Sequence, residues 1–230
     1  PTVSLNDWRF TLGIKQYDQL IQSFIDAGLT EGEDFFIAFY DWRQNNADSA
    51  TDYLIPVIDE ALTHSSTGKV DIVAHSMGGL VTRSYIQSDG YRDDVDQFIM
   101  MGTPNHGSSD VYTLWEGGSI PTNWDKIQRA ALRGFLWNIT RVSETAADDY
   151  EAIHAHIPSV QEVLPTYDFL VDKDTGDSIA VADMQEENQF LLDLNSQDNV
   201  IKTAARAETS IIGGRSEFTV GDIPVVPHTD

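Results

Sequence analysis

The sequence contains no cysteine, which excludes disulfide bonds, thiolate metal sites and cysteine-dependent catalysis. The cellular compartment stays open, because secreted proteins can lack disulfides. No run of 18 apolar residues occurs, so we expect no membrane-spanning helix. The first residues also lack the basic and then apolar pattern of a signal peptide, and any targeting segment is expected outside these residues.

Positive charge is scarce. The chain has 14 Lys and Arg against 37 Asp and Glu, which gives a formal net charge of −23. Such a chain repels a phosphate backbone, so we expect no nucleic-acid partner. The acidic surface fits either a salty habitat or a soluble protein kept apart by self-repulsion, and both alternatives stay open.

The chain is long enough for one domain, or part of one. Its 230 residues are 41% hydrophobic, which supports one sizeable core, and no stretch marks a linker between two cores. Helical and strand patterns alternate along the first half, in the following order: a helix from Ile14 ended by Gly28, a strand at Asp34–Tyr40, a helix at Ala50–Leu62 that contains Pro56, a strand at Val70, and a strand at Gln97–Met101. This alternation predicts an α/β fold with a mostly parallel sheet and helices on both faces.

The central stretch runs from Val70 to Leu80. A β-branched run meets Ser76 and two glycines and continues with helical periodicity, which predicts a strand, a sharp turn and a helix. Such a turn crowds the positions two before and two after its apex, where Ala74 and Gly78 stand. The stretch is therefore typical of a nucleophile elbow. We predict that Ser76 is a nucleophile and that Met77 supplies a backbone N–H to an oxyanion.

The alternation stops after the predicted sheet strand at Gln97–Met101. Residues 110–200 are helical and aromatic, and an insertion of this size beside a nucleophile is typical of a cap over the active site. We therefore divide the chain into a hydrolase core at residues 1–109, a helical cap at 110–200 and a return to the core sheet at 201–230. The alternative is an ordinary helical layer whose aromatic residues belong to the core.

Four segments together resemble the α/β-hydrolases of the lecithin:cholesterol acyltransferase-like lipase branch, especially its bacterial and archaeal members. These segments are Tyr40–Arg43, Ala74–Gly79, Gly102–Ser108 and Pro158–Asp168. The resemblance implies a Ser-His-Asp mechanism in which Ser76 attacks an ester carbonyl and forms an acyl-enzyme. It also implies that water or a second alcohol then takes the acyl group.

The resemblance places the catalytic acid and histidine after the strand at Ser210–Gly213. Asp222 and His228 are the late candidates, although the six positions between them leave little room for the intervening strand. The oxyanion loop and a sheet strand that precede the first helix in this fold are also absent from the chain. We therefore expect a fragment, with the missing strands and catalytic residues supplied by a longer parent or by a second chain.

Other histidines and acids have simpler interpretations. His106 and Asp110 follow a sheet strand, but the triad order favours a structural role for their turn. His75 is interpreted as a packing or hydrogen-bonding residue. His154 and His156 lack a third ligand at a diagnostic spacing, so we expect no metal ion, and we expect no cofactor.

The leading hypothesis is a lipase-like carboxylic ester hydrolase acting on a lipid or another ester, with acyl transfer as the nearest variant. The cap provides a possible contact with a membrane or lipid surface. The rival hypothesis is a non-catalytic lipase-like module that binds lipid or a protein partner, because a complete triad is not evident.

Overall fold

The computed structural model describes residues 17–117, 120, 129, 132–134, 136–137, 148–184, 186–214 and 221–226. Within these ranges no helix combines the length and the apolar character that crossing a membrane requires. Part of the predicted cap at residues 110–200 lies outside these described ranges, and His228 lies outside them as well.

The elements of the first half are helix α1 (Asp18–Asp26), helix α2 (Asn46–Ser49), a π-helical segment (Ala50–Leu54), helix α3 (Ile55–Leu62), strand β1 (Val70–His75), helix α4 (Gly78–Gln87) and strand β2 (Val95–Met101). The second half contains a 3₁₀ turn (Ser109–Val111), α5 (Tyr112–Gly117), α6 (Asp149–His156), α7 (Pro158–Gln161), β3 (Leu170–Asp172), β4 (Ser178–Ile179), a 3₁₀ turn (Val181–Asp183), α8 (Gln189–Leu194), α9 (Gln197–Arg206), β5 (Glu208–Ile212) and β6 (Ile223–Val225).

The main sheet has the strand order β1-β2-β5, and both pairings are parallel. Val73 pairs with Ile99, and Ile99 pairs with Ser210, so the three strands end at the same edge. Parallel strands need helical crossovers, which α4 and α9 provide here. The predicted α/β fold is confirmed.

One apolar core joins this sheet to the helices that precede and follow β1. It is built from buried residues of the π-helical segment, α3, α4 and β2, among them Leu54, Ile58, Tyr85 and Phe98. Pro56 lies in the first turn of α3, directly after the π-helical segment. Because proline lacks an N–H, Pro56 cannot donate the usual helical hydrogen bond. The wider turns of the π-helical segment end at Leu54, and α3 begins at Ile55.

The prediction of a strand at Asp34–Tyr40 is wrong. Apart from an isolated bridge between Glu31 and Phe35, this segment forms no ladder within the described part of the chain. Its side chains are only half-buried, although Ala38 and Tyr40 pack against the main core. An apolar run predicts burial, but a strand also needs a neighbour for its backbone groups. Here β1 is an edge strand of the described sheet, and the segment does not pair with it.

The region from residue 110 to 200 contains helices and also strands β3 and β4, which form a small sheet with the later strand β6 in the order β4-β3-β6. Strands β3 and β4 form an antiparallel hairpin that the helical interpretation missed. The expected return to the core sheet after residue 200 applies to β5, whereas β6 pairs with β3. The second apolar cluster lies within this region and includes Leu114, Trp115, Ile153 and Ile157.

Candidate active site

Ser76 occupies the turn between β1 and α4, and its φ of +53° lies in the left-handed region. That conformation costs a non-glycine residue free energy, and the surrounding structure has to hold it. The Ser76 N–H donates to the Met101 carbonyl over 2.9 Å, and the Gly79 N–H donates to the Ser76 carbonyl over 3.0 Å. The turn is therefore held from the neighbouring strand and from the first turn of the helix.

The crowding that we expect at Gly78 falls instead on Gly79. A Cβ on Gly78 would stand 3.8 Å from the Tyr40 hydroxyl and 4.0 Å from the Ala74 Cβ, which are ordinary contacts. A Cβ on Gly79 would stand 2.0 Å from the Oγ1 of Thr103 and 2.8 Å from its Cβ. The elbow therefore packs against the loop after β2 so closely that only glycine fits at position 79.

The Ser76 hydroxyl and the Met77 N–H are both available to a substrate. Within the described residues, neither group makes a hydrogen bond, and Ser76 is half-buried. Met77 caps the N-terminus of α4, a helix of 10 residues. A negative charge that develops on an oxygen beside this terminus is stabilised by free N–H groups and by the helix dipole.

His75 and two tyrosines lie beside the elbow. The His75 Nδ1 and the Tyr17 hydroxyl are 2.9 Å apart, and the two rings meet edge to face with centroids 5.5 Å apart. Burial lowers the pKa of His75 and raises the pKa of Tyr17. Burial, followed by the charge of Tyr17, raises the pKa of Tyr40 far above its ordinary value. These groups stay neutral at pH 7 and form a polar wall without net charge.

The loop after β2 is fixed by a buried arginine of the elbow helix. Arg83 is 4% exposed and donates to Asn105 Oδ1 (2.7 Å), to the Leu194 carbonyl (2.5 Å) and to Asn195 Oδ1 (2.9 Å). Burial lowers the pKa of Arg83 to about 10. The guanidinium thereby ties the elbow helix to two segments that are distant in sequence.

The predicted cap is anchored to the loop after β2 by backbone hydrogen bonds. The Ser108 N–H donates to the Val163 carbonyl over 2.9 Å, and the Thr166 N–H donates to the His106 carbonyl over 3.0 Å. Gly107 has a φ of +85°, and a Cβ there would stand 2.3 Å from the Leu164 carbonyl oxygen. The segment after α7 is therefore a fixed wall rather than a hinge.

A half-buried carboxylate supplies a second anchor between the predicted cap and the core. The Oε2 of Glu162 accepts hydrogen bonds from the backbone N–H and from the side-chain amide of Asn46, both over 2.7 Å. Asn46 is the first residue of α2 and is 1% exposed. The carboxylate therefore satisfies a helix N-terminus that would otherwise be buried without an acceptor.

The structure does not bring the predicted acid to Ser76. Asp222 is exposed and directly precedes β6, which belongs to the small sheet rather than to the sheet that carries Ser76. His228 lies outside the described residues. His106 is exposed, and its carbonyl binds the cap, while His154 stacks on Trp115 with ring centroids 3.7 Å apart.

The sequence missed the pairing of Tyr17 with His75. The helical pattern that starts at Ile14 places Tyr17 on an apolar helix face, and 58 positions separate Tyr17 from His75. The available signal was a hydroxyl-bearing residue at the start of an otherwise apolar face. A phenol in that position needs a hydrogen-bond partner when it is buried.

Two plant proteins are similar to part of this chain. Lecithin-cholesterol acyltransferase-like 4 of Arabidopsis thaliana is 28% identical over 115 residues, which cover 48% of this chain and 22% of that protein. Phospholipase A(1) LCAT3 of Arabidopsis thaliana is 29% identical over 101 residues, which cover 41% of this chain and 22% of that protein. The chain thus matches only 22% of the length of either plant protein.

Among solved structures, a chain of the Tle4-Tli4 complex is 18% identical, with a TM-score of 0.39, and the match covers 74% of this chain and 42% of that one. A profile of the lecithin:cholesterol acyltransferase family matches residues 7–202. Because this match spans most of the 230 residues, the chain belongs to the lecithin:cholesterol acyltransferase family.

Proposed function

We propose that the protein hydrolyses or transfers the acyl group of a lipid ester, with Ser76 as the nucleophile. The observation that carries the proposal is the left-handed backbone of Ser76 in a strand–turn–helix. Beside it, at the start of a 10-residue helix, lies the Met77 N–H, which has no hydrogen-bond partner among the described residues. Family membership and the names of the two plant relatives, an acyltransferase-like protein and a phospholipase A(1), support a lipid ester as substrate.

The reaction begins when the Ser76 oxygen attacks the ester carbonyl and its proton passes to a base. The carbonyl oxygen becomes an oxyanion, which the Met77 N–H and the terminus of α4 stabilise. The bond to the leaving alcohol then breaks, and the base returns the proton to it, which leaves an acyl-enzyme. Water releases the acid, or a second alcohol takes the acyl group. Asp222 and His228 remain the predicted acid and base, and residues outside this chain are the alternative.

The acyl chain is proposed to lie against the apolar cluster that joins α4 to the cap. This cluster consists of Leu80, Val163, Leu191 and Leu194, and Met77 packs against it. The oxyanion donor and the apolar wall are therefore adjacent. A contact of the cap with a lipid surface stays a prediction, and Trp137, which is 61% exposed, is a residue that could make it.

The test is the hydrolysis of a phospholipid and of a short-chain ester by the protein as its source produces it. Ser76→Ala should lower turnover by about a millionfold if the triad is complete. Ser84→Ala is the matched control, because Ser84 lies in the same helix and donates only to the Leu80 carbonyl. An added alcohol that captures the acyl group would identify transfer. Equal activity of both variants and the parent protein would refute the proposal.

A non-catalytic lipid-binding module is the second candidate. The observation in its favour is that no histidine or carboxylate hydrogen-bonds to Ser76 in the described part of the chain. This candidate predicts that Ser76→Ala binds lipid vesicles as tightly as the parent protein does and that neither protein turns over an ester.

A further inference from the structure

A cavity of about 140 Å³ lies between the loop before α2 and the cap. This volume is well above the roughly 10–15 Å³ that admits one water molecule. The cavity is lined by oxygen-bearing side chains and one aromatic ring, chiefly Asn45, Gln161, Glu162, Glu187, Gln189 and Phe190. Its mostly polar lining distinguishes this cavity from the apolar cluster that Met77 packs against.

The side-chain amide nitrogens of two glutamines in the lining donate hydrogen bonds to residues outside it. Gln161 Nε2 donates to Glu186 over 3.1 Å, and Gln189 Nε2 donates to Asp193 over 2.7 Å. Asn188, which also lines the cavity, uses its amide nitrogen and its amide oxygen within the fold. The side-chain Oε1 atoms of Gln161 and Gln189 have no hydrogen-bond partner among the described residues. The lining therefore offers mainly acceptors.

Two carboxylates add negative charge to these acceptors. The Oε2 of Glu162 takes both hydrogen bonds from Asn46, which leaves Oε1 without a partner in the described part of the chain. Glu187 is exposed, and its carboxylate makes no hydrogen bond or ion pair there. Burial raises the pKa of Glu162, although the two hydrogen bonds from Asn46 oppose this shift. Among the described residues, no Lys, Arg or His lines the cavity.

We propose that this cavity binds a primary ammonium group. An ammonium group has three donors, no acceptor and a positive charge, which complements a lining of acceptors and two carboxylates. A phosphate or a carboxylate would meet the same negative charge and be repelled. A bare Ca²⁺ would instead require six to eight oxygen ligands at 2.3–2.6 Å, and the first test below includes Ca²⁺ as a competitor.

The cavity is connected to the elbow through Phe190. This ring lines the cavity and also packs against the cluster of Leu80 and Leu191 that Met77 contacts. An ammonium group held there could belong to the polar part of an ester whose acyl chain reaches Ser76, and this assignment rests on the proposed function. A free amine is the other source of the same chemistry.

The first test compares ethanolamine, which is an ammonium ion at pH 7, with ethylene glycol, its neutral analogue of similar size. Titration by NMR or calorimetry should show ethanolamine binding roughly tenfold more tightly, because charge-assisted hydrogen bonds are about twice as strong as neutral ones. Equal affinity for the two probes would overturn the proposal. Ca²⁺ that displaces ethanolamine and binds through the two glutamates would also overturn it.

The second test uses variants. Glu162→Gln keeps an oxygen for Asn46 but removes the charge, and it should weaken ethanolamine binding roughly fivefold or more. Glu208→Gln removes an exposed carboxylate of β5 outside the lining and should leave binding unchanged. Equal binding by both variants would count against the site. Because this titration does not require turnover, it reports on the cavity even if Ser76 proves inactive.

The relative rates of hydrolysis of two phospholipids distinguish the two sources of the ammonium group, a substrate head group and a free amine. A head group of the substrate predicts that kcat/KM for phosphatidylethanolamine relative to phosphatidylglycerol falls severalfold in Glu162→Gln. A free amine predicts ethanolamine binding with an unchanged ratio, and either result supports the ammonium site.

Discussion

Gly79→Ala tests the contact between the elbow and the loop after β2. The new Cβ would stand 2.0 Å from Thr103 Oγ1, 2.6 Å from its Cγ2 and 2.8 Å from its Cβ. Rotation of the Thr103 side chain can move the first two atoms, but the Cβ is fixed to the backbone. The backbone therefore has to shift, at a cost of about 3 kcal/mol. The gain from alanine in a helix offsets about 1 kcal/mol of this.

The net loss of about 2 kcal/mol should lower Tm by roughly 4–8 °C. Thermal and urea unfolding followed by circular dichroism would measure it. Gly78→Ala is the matched control, because its Cβ would make only ordinary contacts at 3.8 and 4.0 Å, and it should be neutral or slightly stabilising. The reasoning is refuted if Gly79→Ala is as stable as Gly78→Ala.

A double-mutant cycle with Thr103→Gly locates the cause. Thr103→Gly removes all three clashing atoms, and the hydroxyl that it deletes has no hydrogen-bond partner in the described part of the chain. Gly79→Ala should therefore cost about 2 kcal/mol less in the Thr103→Gly background than in the parent. An undiminished cost would show that the contact with Thr103 is not what requires glycine.

Four further predictions concern polar groups that the fold wholly or partly buries. Because burial raises the pKa of Glu162 above its ordinary 4.5, the unfolded chain loses this proton first as pH rises, and stability falls from pH 4.5 up to the folded pKa; urea unfolding across pH 4–7 should show that Glu162→Gln reduces this fall. Glu162→Ala should lose about 1–3 kcal/mol, since the Asn46 donors lose their acceptor, and equal stability of the two variants would refute this anchor. Tyr85→Phe should cost about 1–3 kcal/mol in urea unfolding, because the Tyr85 hydroxyl donates to buried Asp94 over 2.6 Å, and a change below 0.5 kcal/mol would contradict this. Arg83→Ala should cost about 3 kcal/mol in the same assay, since Asn105 Oδ1 and Asn195 Oδ1 lose this donor and the Leu194 carbonyl keeps only the bond from Gln87, and a neutral effect would show that water replaces the guanidinium.

The elbow could be predicted from the sequence because its signals are local. A β-branched run, Ser76, two glycines and a helical period stand within about a dozen consecutive positions, and the structure has β1, the turn and α4 there. Strands β2 and β5 followed from equally short patterns. The family resemblance, which rested on four separate segments, is confirmed by the match to residues 7–202.

The remaining features depend on partners that lie far away in the chain. The Asp34–Tyr40 run has the composition of a strand, but within the described part of the chain it forms no ladder with another strand. Strand β3 is only three residues long, and its second partner, β6, lies some 50 positions later. No local sequence pattern therefore predicts the pairing of β3 with β6. The contact of Gly79 with Thr103 and the bonds from Glu162 to Asn46 likewise join separate segments. Residue type indicated that these groups needed partners but not which ones.

Labelling with a fluorophosphonate tests the central claim most directly, because this reagent forms a stable adduct only with an activated serine. Intact mass spectrometry would compare the protein as its source produces it with the Ser76→Ala and Ser84→Ala variants. The account predicts a single adduct in the parent protein and in Ser84→Ala and no adduct in Ser76→Ala. No adduct on the parent protein, or an adduct that persists in Ser76→Ala, would contradict the assignment of Ser76 as the nucleophile.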